Sequence, residues 1–543
     1  DSKLPVTVTI SEVSLILNNN ITPEENKTPM IKTNQIGYRP NDIKIGFVTV
    51  EENIKNFSIL NESGETVLRG KLESARRDEL AGEYTSKADF SNLKEEGKYT
   101  LSVDGENSYI FSVAENVYDN IFKASYNFFY LQRCGFKVED PVFGHEECHK
   151  GQARIIGTYD YKEADGGWHD AGDYGRYIVT GAKATADLLL AWEASKDNFD
   201  NQTLISEAKW ELDWMLKMQR EDGGVYHKIT CKGFPGFVMP EEETEPLFIC
   251  PVSTPATADF AGIMAMAYSY LKTDNNDFAN ICLEAAKKAW NYLETHGSET
   301  FKNPSTVMTG EYGDPYDKDE RYFAAAALFE ATGEQSYIEK AKELRKNKWK
   351  SEFGWEQMEG YGDEIILKNS DHIEDKEFVK SVKEAVLSVA EEYADTALNK
   401  SGYGIAYDNF VWGSNGYILD RAHLLSIAAD MSGKEKYKRA ARSHLDYVLG
   451  NNPMGICYVT GFGTASPQQP HHRPSVAKEQ VMEGMLVGGP DQGLQDPFAE
   501  NLLSGKPPMK CWVDHFQSYS TNEIAINWNS ALVYSFAKII YGE

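Results

Sequence analysis

The sequence predicts a mainly α-helical protein in which a barrel of helices follows a small β-sandwich. Short runs that alternate apolar and polar residues fill the chain up to residue 115, and an apolar period of three and four residues replaces them afterwards. The length of 543 residues is enough for more than one domain. We therefore divide the chain into an N-terminal tail (1–29), a β-sandwich (30–115) and a helical domain (116–543).

The β-structure is predicted to follow a polar tail that holds one strand at residues 6–10. Turn residues such as those at 61–64 (NESG) separate the later runs, and this spacing is typical of a small sandwich. The predicted strands are residues 44–50, 56–60, 83–88, 98–103 and 109–113. No cluster of catalytic residue types occurs in this part of the sequence, so we expect it to support the rest of the chain.

Eleven helices are predicted after the sandwich, because apolar residues recur there at intervals of three and four. They are residues 118–133, 176–195, 202–219, 257–272, 276–296, 319–332, 335–346, 377–399, 416–432, 435–449 and 523–541. The intervening loops at 220–255, 298–318, 347–376 and 451–522 are long, and loops of that length usually carry function. Short and long loops in alternation indicate a helical barrel with its long loops on one face.

Composition and charge limit the possible partners. The net charge of −28 disfavours nucleic acid, anionic membrane surfaces and polyanionic substrates, so a neutral substrate fits better. No apolar run is long enough to span a membrane, and the seven scattered cysteines do not form a disulfide framework. The chain begins at Asp1 rather than at a methionine, which we interpret as the trimmed form of a secreted, extracellular protein. We expect a monomer.

The most informative stretch is the glycine-rich loop at residues 166–177 (GGWHDAGDYGRY), which precedes a predicted helix. It sets Asp170 and Asp173 three residues apart between aromatic residues. One such carboxylate can be ionised and aimed at a water molecule while the other holds that water. The alternative is structural: Asp173 would be an N-cap and the glycines would form a turn.

A second stretch, His471-His472-Arg473, places fixed hydrogen-bond donors in a loop rich in proline and glycine. Such donors suit sugar hydroxyl groups or a charge that develops in a transition state. A solvated loop without function is the alternative.

The third stretch, residues 512–523, runs into the last predicted helix and ends at Glu523. Ser520 and Glu523 have the spacing of a capping box, which is the structural alternative. A helix N-terminus lowers the pKa of a carboxylate, whereas a general acid needs a raised pKa. Burial against Tyr519 or Trp528, or a second carboxylate such as Asp514, would have to raise it.

These stretches together fit glycoside hydrolysis with inversion. That reaction needs a base for a water molecule and an acid for the leaving oxygen, with the two carboxyl groups about 6.5–9.5 Å apart. Loops near residues 170 and 520 supply opposite sides of one cleft only in a closed architecture, and a helical barrel is one.

The chain resembles glycoside hydrolase family 9, the cellulase family with an (α/α)6 barrel, and within it the subgroup with an N-terminal immunoglobulin-like domain. The resemblance covers nearly everything from about residue 30 to the end. It depends on residues 34–38 (NQIGY), Asp170-Ala171-Gly172-Asp173 and His471-His472-Arg473, and on a C-terminal element formed by Trp512, Asp514, Tyr519, Glu523, Ala525, Asn529 and Ser530.

The resemblance implies a role for each matching residue. Asp173 is the general base, Asp170 helps to hold the water, and Glu523 is the general acid. The residues implied to bind and orient the sugar are His471, Arg473, Asp514 and Tyr519. Trp412, in the stretch Trp412-Gly413-Ser414-Asn415, resembles a further cleft element and is a candidate stacking platform.

Two metal sites are candidates, and no organic cofactor is expected. Cys134, Cys148, His149 and His169 offer two thiols and two imidazoles, which is a tetrahedral zinc set, although their spacing is not a finger motif. The resemblance implies a structural zinc there, beside Asp170; two buried cysteines and two surface histidines are the alternative.

The second candidate is a calcium site in an acidic stretch before a helix. The stretch contains Asp314, Asp317, Asp319 and Glu320, and it resembles a calcium site of the family with Asp319 and Glu320 best aligned. A solvated acidic turn that caps the helix is the alternative.

We weigh three functions. The first is an inverting, endo-acting glycosidase for β-1,4-glucosidic bonds in cellulose, soluble β-glucans or cellodextrins, with an exo-acting cellobiohydrolase, cellodextrinase or glucosaminidase as its variant. The second is a hydrolase with a catalytic zinc, and the third is a polysaccharide-binding protein without activity, which the intact carboxylates disfavour. Residues 225–241 are a candidate segment to line or narrow one end of the cleft.

Overall fold

The computed structural model describes residues 28–50, 55–196, 202–345 and 350–542. The predicted strand at residues 6–10 and nearly all of the predicted tail therefore lie outside the described residues. Within them, strands fill the chain from Ile31 to Val113, and the first helix begins at Asp119.

The N-terminal part is a sandwich of two sheets. Its strands are β1 (Ile31–Lys32), β2 (Gly37–Tyr38), β3 (Ile45–Thr49), β4 (Asn56–Asn61), β5 (Thr66–Lys71), β6 (Arg76–Asp78), β7 (Glu83–Asp89), β8 (Gly97–Val103), β9 (Glu106–Asn107) and β10 (Phe111–Val113). One sheet has the order β1-β3-β7-β6 and the other the order β2-β10-β8-β4-β5, with β9 beside β8. Alternate apolar side chains, such as Val48, Ile59 and Leu101, form the core between them.

All five strands predicted between residues 44 and 113 are present. The short strands β1, β2, β6 and β9 were not predicted. The six-residue strand β5 was also missed, because it lies at the edge of its sheet with mostly exposed side chains. An edge strand with no buried face has no apolar alternation to reveal it.

Helices are the main regular structure of the remaining chain. They are α1 (Asp119–Leu131), α2 (Ile178–Ser195), α3 (Gln202–Met218), α4 (Thr254–Leu271), α5 (Asn276–Thr295), α6 (Lys318–Thr332), α7 (Gln335–Leu344), α8 (Glu359–Lys368), α9 (Lys376–Asp395), α10 (Ser414–Ser432), α11 (Glu435–Val448), α12 (Arg473–Lys478), α13 (Pro497–Leu503), α14 (Tyr519–Asn522) and α15 (Ile526–Phe536). Within the described residues, twelve of these helices have ten residues or more and form the barrel. The predicted fold class, a mainly α-helical barrel behind a small β-sandwich, is confirmed.

Helix α8 lies where a loop (347–376) was predicted. Its sequence contains Gly360 and Gly362, which lower helix propensity and weaken the apolar period. Both glycines are needed for close packing, because a Cβ atom on Gly360 would lie 2.6 Å from Phe353 and one on Gly362 would lie 2.5 Å from Tyr322. Tertiary packing therefore decides the helix.

A second, small sheet lies among the barrel loops and was not predicted. Its strands are β11 (Gln152–Ile155), β12 (Tyr161–Glu163), β13 (Arg176–Tyr177), β14 (Lys228–Thr230) and β15 (Phe248–Ile249), in the order β12-β11-β15-β14-β13. Strand β13 occupies the first two residues of the predicted helix 176–195, so α2 begins at Ile178. This sheet joins the loop that contains Asp173 to the long loop after α3.

The sandwich is docked on the barrel through the residues of the NQIGY stretch. The Asn34 Nδ2 atom donates to Asp446 Oδ1 (2.8 Å), and Gln35 Nε2 donates to the carbonyl of Gly455 (2.8 Å). Gln35 Oε1 accepts from the backbone N–H groups of Thr464 (2.8 Å) and Ala465 (2.9 Å). The sandwich therefore supports the loop that leads to His471. Among the described residues, no helix is long and apolar enough to cross a membrane.

Candidate active site and metal centres

Asp170 is buried, and both of its carboxylate oxygens accept hydrogen bonds. Tyr312 Oη donates to Oδ2 (2.7 Å) and Thr180 Oγ1 donates to Oδ1. Burial raises the pKa of Asp170 to about 7. Its backbone carbonyl accepts from Ile526 N (2.8 Å), so the loop at residues 166–177 is tied to the first residue of α15.

Asp173 is also buried, and its Oδ2 accepts from the backbone N–H of Gly175 (3.2 Å). Burial raises its pKa, while the charge of Arg473 acts in the opposite direction. The N-cap residue of α2 is Tyr177, so the interpretation of Asp173 as an N-cap is wrong. Its carboxylate is therefore available for other work.

Gly172 allows the two predicted site loops to touch. A Cβ atom on this residue would lie 2.2 Å from the carbonyl oxygen of His471, so only glycine fits. The Gly172 carbonyl accepts from Arg473 N (3.2 Å) and Arg473 Nη1 (2.7 Å). His471 in turn forms an isolated β-bridge with Glu523. These contacts bring the three predicted stretches into one site.

Glu523 lies in extended backbone between α14 and α15, and not inside the last helix as predicted, because α15 begins at Ile526. The capping box does not form, since Ser520 Oγ donates to Asp496 Oδ2 (2.8 Å). A helix N-terminus therefore does not hold Glu523 in its charged form. The residue as a whole keeps part of its surface accessible.

The pKa of Glu523 is raised well above its ordinary value. Burial of the carboxyl group is the main cause, the charges of Asp173 and Asp170 add to it, and the charge of Arg473 opposes it. The carboxylates that raise the pKa of Glu523 are thus Asp173 and Asp170, whereas Asp514 was the candidate that the sequence offered. We call Asp170, Asp173 and Glu523 the active-site cluster.

Asp514 holds the loop in front of His471. Its Oδ2 accepts from Gln468 N (2.7 Å), and its Oδ1 accepts from Gln469 N (2.9 Å) and Asn522 Nδ2 (3.1 Å). Both oxygens are therefore engaged by the protein itself. The predicted contact of Asp514 with a sugar stays a prediction.

His471, Tyr519 and Trp412 form a row of rings beside the active-site cluster. His471 Nδ1 donates to the carbonyl of Phe516 (2.6 Å), which leaves Nε2 for another partner. The ring of Tyr519 lies 5.9 Å from that of His471 and 5.3 Å from that of Trp412. The residues that the structure brings together are Asp170, Asp173, Trp412, His471, Arg473, Tyr519 and Glu523.

Sequence reasoning missed the residues that hold the carboxylates. Tyr312 and Thr180 bind Asp170, yet Tyr312 comes from a loop without a motif and Thr180 lies inside a helix. Lys228 was missed as well; its charge acts on Asp170 and Asp173, and its Nζ donates to Asn303 Oδ1 (2.7 Å). Only the tertiary fold reveals these partners.

Cys134, Cys148, His149 and His169 form a compact, buried cluster that can hold a metal ion. The Sγ atoms are 3.9 Å apart, the ring nitrogens 3.4 Å, and each sulfur lies 3.6 Å from one nitrogen. A tetrahedral zinc with bonds of about 2.3 Å to sulfur and about 2.0–2.1 Å to nitrogen has edges of about 3.3–3.8 Å. The ligand positions fit, and the alternative with two surface histidines is wrong because both histidines are buried.

The surroundings of this cluster orient its ligands. Glu243 Oε2 lies 3.0 Å from His149 Nε2, which is the carboxylate partner that metal-bound histidines commonly have. The Gln132 carbonyl accepts from His169 N (2.8 Å), and Gln132 Nε2 donates to the carbonyl of Ala171 (3.2 Å). The cluster is thus joined directly to the loop of Asp170.

A second group of carboxylates lies at the start of α6. Glu320 and Asp259, which α4 contributes, are completely buried, and none of their carboxylate oxygens has a hydrogen-bond partner. Asp314 Oδ2 is buried without a partner as well, and Asp319 Oδ2 accepts from Met358 N (3.1 Å). We call Asp259, Asp314, Asp319 and Glu320 the α6 cluster.

The α6 cluster changes the prediction in two ways. Asp259 was missed because it lies 55 residues before Asp314 inside a helix, and Asp317 is engaged elsewhere, since Arg321 Nε donates to its Oδ2 (3.0 Å). The alternative of a solvated acidic turn is wrong, because the oxygens are shielded from water. Burial raises the pKa of Asp314 to about 6.

Comparison with known families identifies both parts of the chain. Residues 118–536 match a sequence model described as glycosyl hydrolase family 9, and residues 26–108 match one described as a cellulase N-terminal ig-like domain. A cellodextrinase of Butyrivibrio fibrisolvens is 36% identical in an alignment 551 positions long, which covers 94% of this chain and 99% of that protein. Endoglucanase D of Acetivibrio thermocellus is 35% identical in an alignment 539 positions long, which covers 94% of this chain and 83% of that protein.

Solved structures of similar proteins have the same architecture. A single mutant of a thermostable endoglucanase from Alicyclobacillus acidocaldarius superposes with a TM-score of 0.89 at 33% identity, over 94% of this chain and 99% of that one. A zinc-binding triple mutant of a family 9 endoglucanase superposes with a TM-score of 0.88 at 30% identity, over 93% and 100%.

Proposed function

The chain belongs to glycosyl hydrolase family 9, and from this membership we propose that it hydrolyses β-1,4-glucosidic bonds in cellulose, soluble β-glucans or cellodextrins. The relatives described above, a cellodextrinase and an endoglucanase, support this substrate class. The net charge of −28 favours an uncharged polymer over a polyanionic one. Cleavage inside the polymer is our first expectation, and cleavage near a chain end is the alternative.

The proposed reaction is a single displacement that inverts the anomeric carbon. Asp173 takes a proton from a water molecule that Asp170 helps to hold, and the water oxygen attacks the anomeric carbon. Glu523 gives its proton to the glycosidic oxygen as the bond between that oxygen and the anomeric carbon breaks. Both carboxyl groups return to their starting states after proton exchange with solvent.

This assignment depends on one observation. The carboxyl group of Glu523 is buried beside Asp170 and Asp173, and the charge of Arg473 acts on the same cluster. Burial and the charges of Asp173 and Asp170 favour protonated Glu523, which an acid requires. Burial raises the pKa of Asp173 as well, and the charge of Arg473 opposes that shift and favours the ionised form that a base requires. Environments that separate two carboxyl groups in this way are the usual basis of acid and base assignments.

The residues around the cluster supply sugar binding in this proposal. His471 Nε2 is an acceptor and the remaining N–H groups of Arg473 are donors for hydroxyl groups. Tyr519 and Trp412 offer ring faces, on which the C–H faces of a sugar pack. Asp514 binds the backbone of the loop before His471, so we propose that it positions His471 in addition to making the predicted sugar contact.

Hydrolysis of cellotetraose followed by proton NMR tests this function. We expect the α-anomer of the new reducing end to appear first, before mutarotation produces the β-anomer. A product that first appears as the β-anomer would contradict the inverting mechanism, and no release of reducing sugar would contradict the function itself.

We propose that the four-ligand cluster holds a structural Zn²⁺. Support comes from the tetrahedral spacing of its sulfur and nitrogen atoms and from the zinc-binding family 9 structure described above. Four protein ligands fill a tetrahedral zinc, so its contribution is to fix the backbone on either side of His169. The alternative of a catalytic zinc would need an open position.

We propose that the α6 cluster holds a structural Ca²⁺. Buried carboxylate oxygens without a hydrogen-bond partner, such as those of Asp259 and Glu320, are strongly unfavourable in a protein interior, and Ca²⁺ prefers carboxylate oxygens. The predicted ligands Asp319 and Glu320 stay in this proposal, and Asp259 and Asp314 join them.

We further propose that the protein is secreted and acts as a monomer. The boundary between its two domains is proposed to lie between residues 115 and 116. Cellulose as one of the proposed substrates supports secretion, because an insoluble polymer does not enter cells.

A further inference from the structure

We propose that Lys228 is a positioning residue: its ammonium group holds residues 303–312, which we call the Tyr312 segment, so that Tyr312 can donate a hydrogen bond to Asp170. The inference rests on the proposed function, in which Asp170 helps to hold the attacking water. It adds a residue that acts on this water only through two other side chains. Its support is a strained backbone and the contacts that hold that backbone.

The backbone of Tyr312 has a conformation that an aromatic residue rarely adopts. Its φ is 47°, in the left-handed region, where a bulky side chain is crowded by its own backbone. A residue keeps such a conformation only when the surrounding structure holds it. The conformation serves the site, because Tyr312 Oη donates to Asp170 Oδ2 (2.7 Å).

The buried side chain of Lys228 holds the part of the segment that precedes Tyr312. It extends from β14, and its Nζ donates to Asn303 Oδ1 (2.7 Å) and to the carbonyl of Gly310. The hydroxyl and carbonyl oxygens of Thr309 lie 3.3 and 3.4 Å from the same nitrogen. One ammonium group therefore joins the first residue of the segment to the two residues that lead towards Tyr312.

The residue before Lys228 holds the next carbonyl of the segment. His227 Nε2 donates to the carbonyl of Glu311 (3.1 Å), directly before Tyr312, and Nδ1 accepts from Ser253 Oγ (2.9 Å). Burial lowers the pKa of His227 to about 3, so the ring is neutral and carries a single N–H. His227 and Lys228 together fix the carbonyl groups of residues 309, 310 and 311, and with them the backbone of Tyr312.

Lys228 is joined to the loop of Asp170 as well. It pairs with Tyr177, the last residue of the loop at residues 166–177, across β13 and β14. Its Nζ lies 5.2 Å from the centre of the Tyr177 ring, and the ring centres of Tyr177 and Tyr312 are 4.7 Å apart. The same lysine therefore sets the Tyr312 segment against the loop whose carboxylate Tyr312 binds.

A double-mutant cycle tests this proposal in the whole protein, with kcat and KM measured on cellotetraose at about pH 6. Burial lowers the pKa of Lys228 to about 8, so its ammonium form is present at this pH. Tyr312→Phe removes the hydroxyl group and should lower kcat about tenfold, the usual effect of one hydrogen bond to a charged group, with KM nearly unchanged. Lys228→Met removes the donors at similar side-chain length and should lower kcat to a similar extent.

The double variant separates positioning from support of the fold. Because Lys228 acts through the Tyr312 hydroxyl group, Lys228→Met/Tyr312→Phe should also lose about tenfold, whereas independent losses would multiply to about a hundredfold. Asn303→Ala gives the same comparison at a half-buried residue. It removes one acceptor of Lys228, so kcat should fall about threefold in the unchanged protein and no further in Tyr312→Phe.

Lys44→Met is the matched control. Lys44 is a buried lysine of the β-sandwich, and its Nζ donates to the carbonyls of Pro40 (2.8 Å) and Asp42 (2.9 Å). Its replacement removes the same kind of contact, so the temperature of unfolding should fall. The value of kcat should stay unchanged, both alone and in combination with Tyr312→Phe.

Two failures are distinguishable. If the unchanged protein releases no sugar from cellotetraose, the proposed function is wrong. If it cleaves cellotetraose, the Lys228 inference is overturned when Tyr312→Phe keeps full kcat, or when folded Lys228→Met keeps full kcat or multiplies the loss of Tyr312→Phe. Where Lys228→Met does not fold, Asn303→Ala decides by the same two outcomes.

Discussion

The active-site cluster and the α6 cluster both bury several carboxylates in the barrel, but they differ in what faces the oxygen atoms. In the active-site cluster, Asp170 accepts from Tyr312 and Thr180, and Arg473 lies near Asp173 and Glu523. In the α6 cluster, the buried oxygens of Asp259 and Glu320 face no donor.

The difference shows two ways to make a buried carboxylate tolerable. In the active-site cluster, hydroxyl donors and a guanidinium offset only part of the cost of burying the carboxylate charges. Glu523 therefore favours its protonated form, which an acid catalyst requires. In the α6 cluster, backbone N–H groups of the described residues reach only Asp314 and Asp319, and the proposed cation would compensate the remaining oxygens. Loss of a carboxylate should therefore affect activity at the first cluster and stability at the second.

Glu523→Gln is the change with the largest expected effect. The amide cannot give a proton to the leaving oxygen, so kcat for cellotetraose should fall by about 10²–10⁴-fold. The temperature of thermal unfolding should be nearly unchanged, because the amide replaces a protonated carboxyl group that is already neutral. The zinc content should stay at that of the unchanged protein.

Glu500→Gln is the control for this loss, since Glu500 is an exposed residue of α13 and should keep full activity. If Glu523→Gln lost its fold or its zinc together with its activity, the assignment of Glu523 to chemistry would fail.

Asp259→Asn sharpens the comparison from the other side. Calcium titrated into stripped protein that is kept saturated with zinc should raise the free energy of unfolding by about 3 kcal/mol at a hundredfold excess over Kd. Asp259→Asn should lose most of this increase, while kcat of the folded fraction stays near that of the unchanged protein.

Asp317→Asn is the matched control, because Asp317 lies in the same acidic stretch but pairs with Arg321. It should keep the calcium response. Equal responses to calcium in both variants would show that the cation does not bind at the α6 cluster.

The same contrast explains what the sequence could predict. Asp170, Asp173, His471, Arg473 and Glu523 stand in local patterns, and the structure brings them together as those patterns indicate. The two thiols and two imidazoles of the four-ligand cluster were named from their residue types and the family resemblance, since their spacing is not a finger motif. Site residues that stand in short motifs with fixed spacing can therefore be recognised from the sequence alone.

The missing parts are those that only tertiary packing decides. Asp259 lies inside an apolar helix, where its burial against Glu320 has no sequence signal. Tyr312 is one of many loop tyrosines, and its bond to Asp170 depends on how the barrel closes. The capping box at Ser520 was wrong for the same reason, because Asp496, which is distant in the sequence, takes the hydroxyl group.

Arg473→Gln gives the smallest and most diagnostic effect on the active-site cluster. The activity requires ionised Asp173 and protonated Glu523, so kcat/KM should fall as the pH drops through the pKa of Asp173 and as it rises through the pKa of Glu523. The Arg473 charge lowers both pKa values. The charge of Glu243 raises the pKa of Asp173, and the charges of Asp173 and Asp170 raise the pKa of Glu523. Removal of the Arg473 charge should therefore move both limbs of the profile of kcat/KM to higher pH by about one unit, besides weakening substrate binding.

Lys478→Gln, at the exposed end of the same helix α12, should leave both limbs in place. A profile of Arg473→Gln that falls in height without moving would mean that Arg473 only binds substrate, and that burial alone keeps the proton on Glu523.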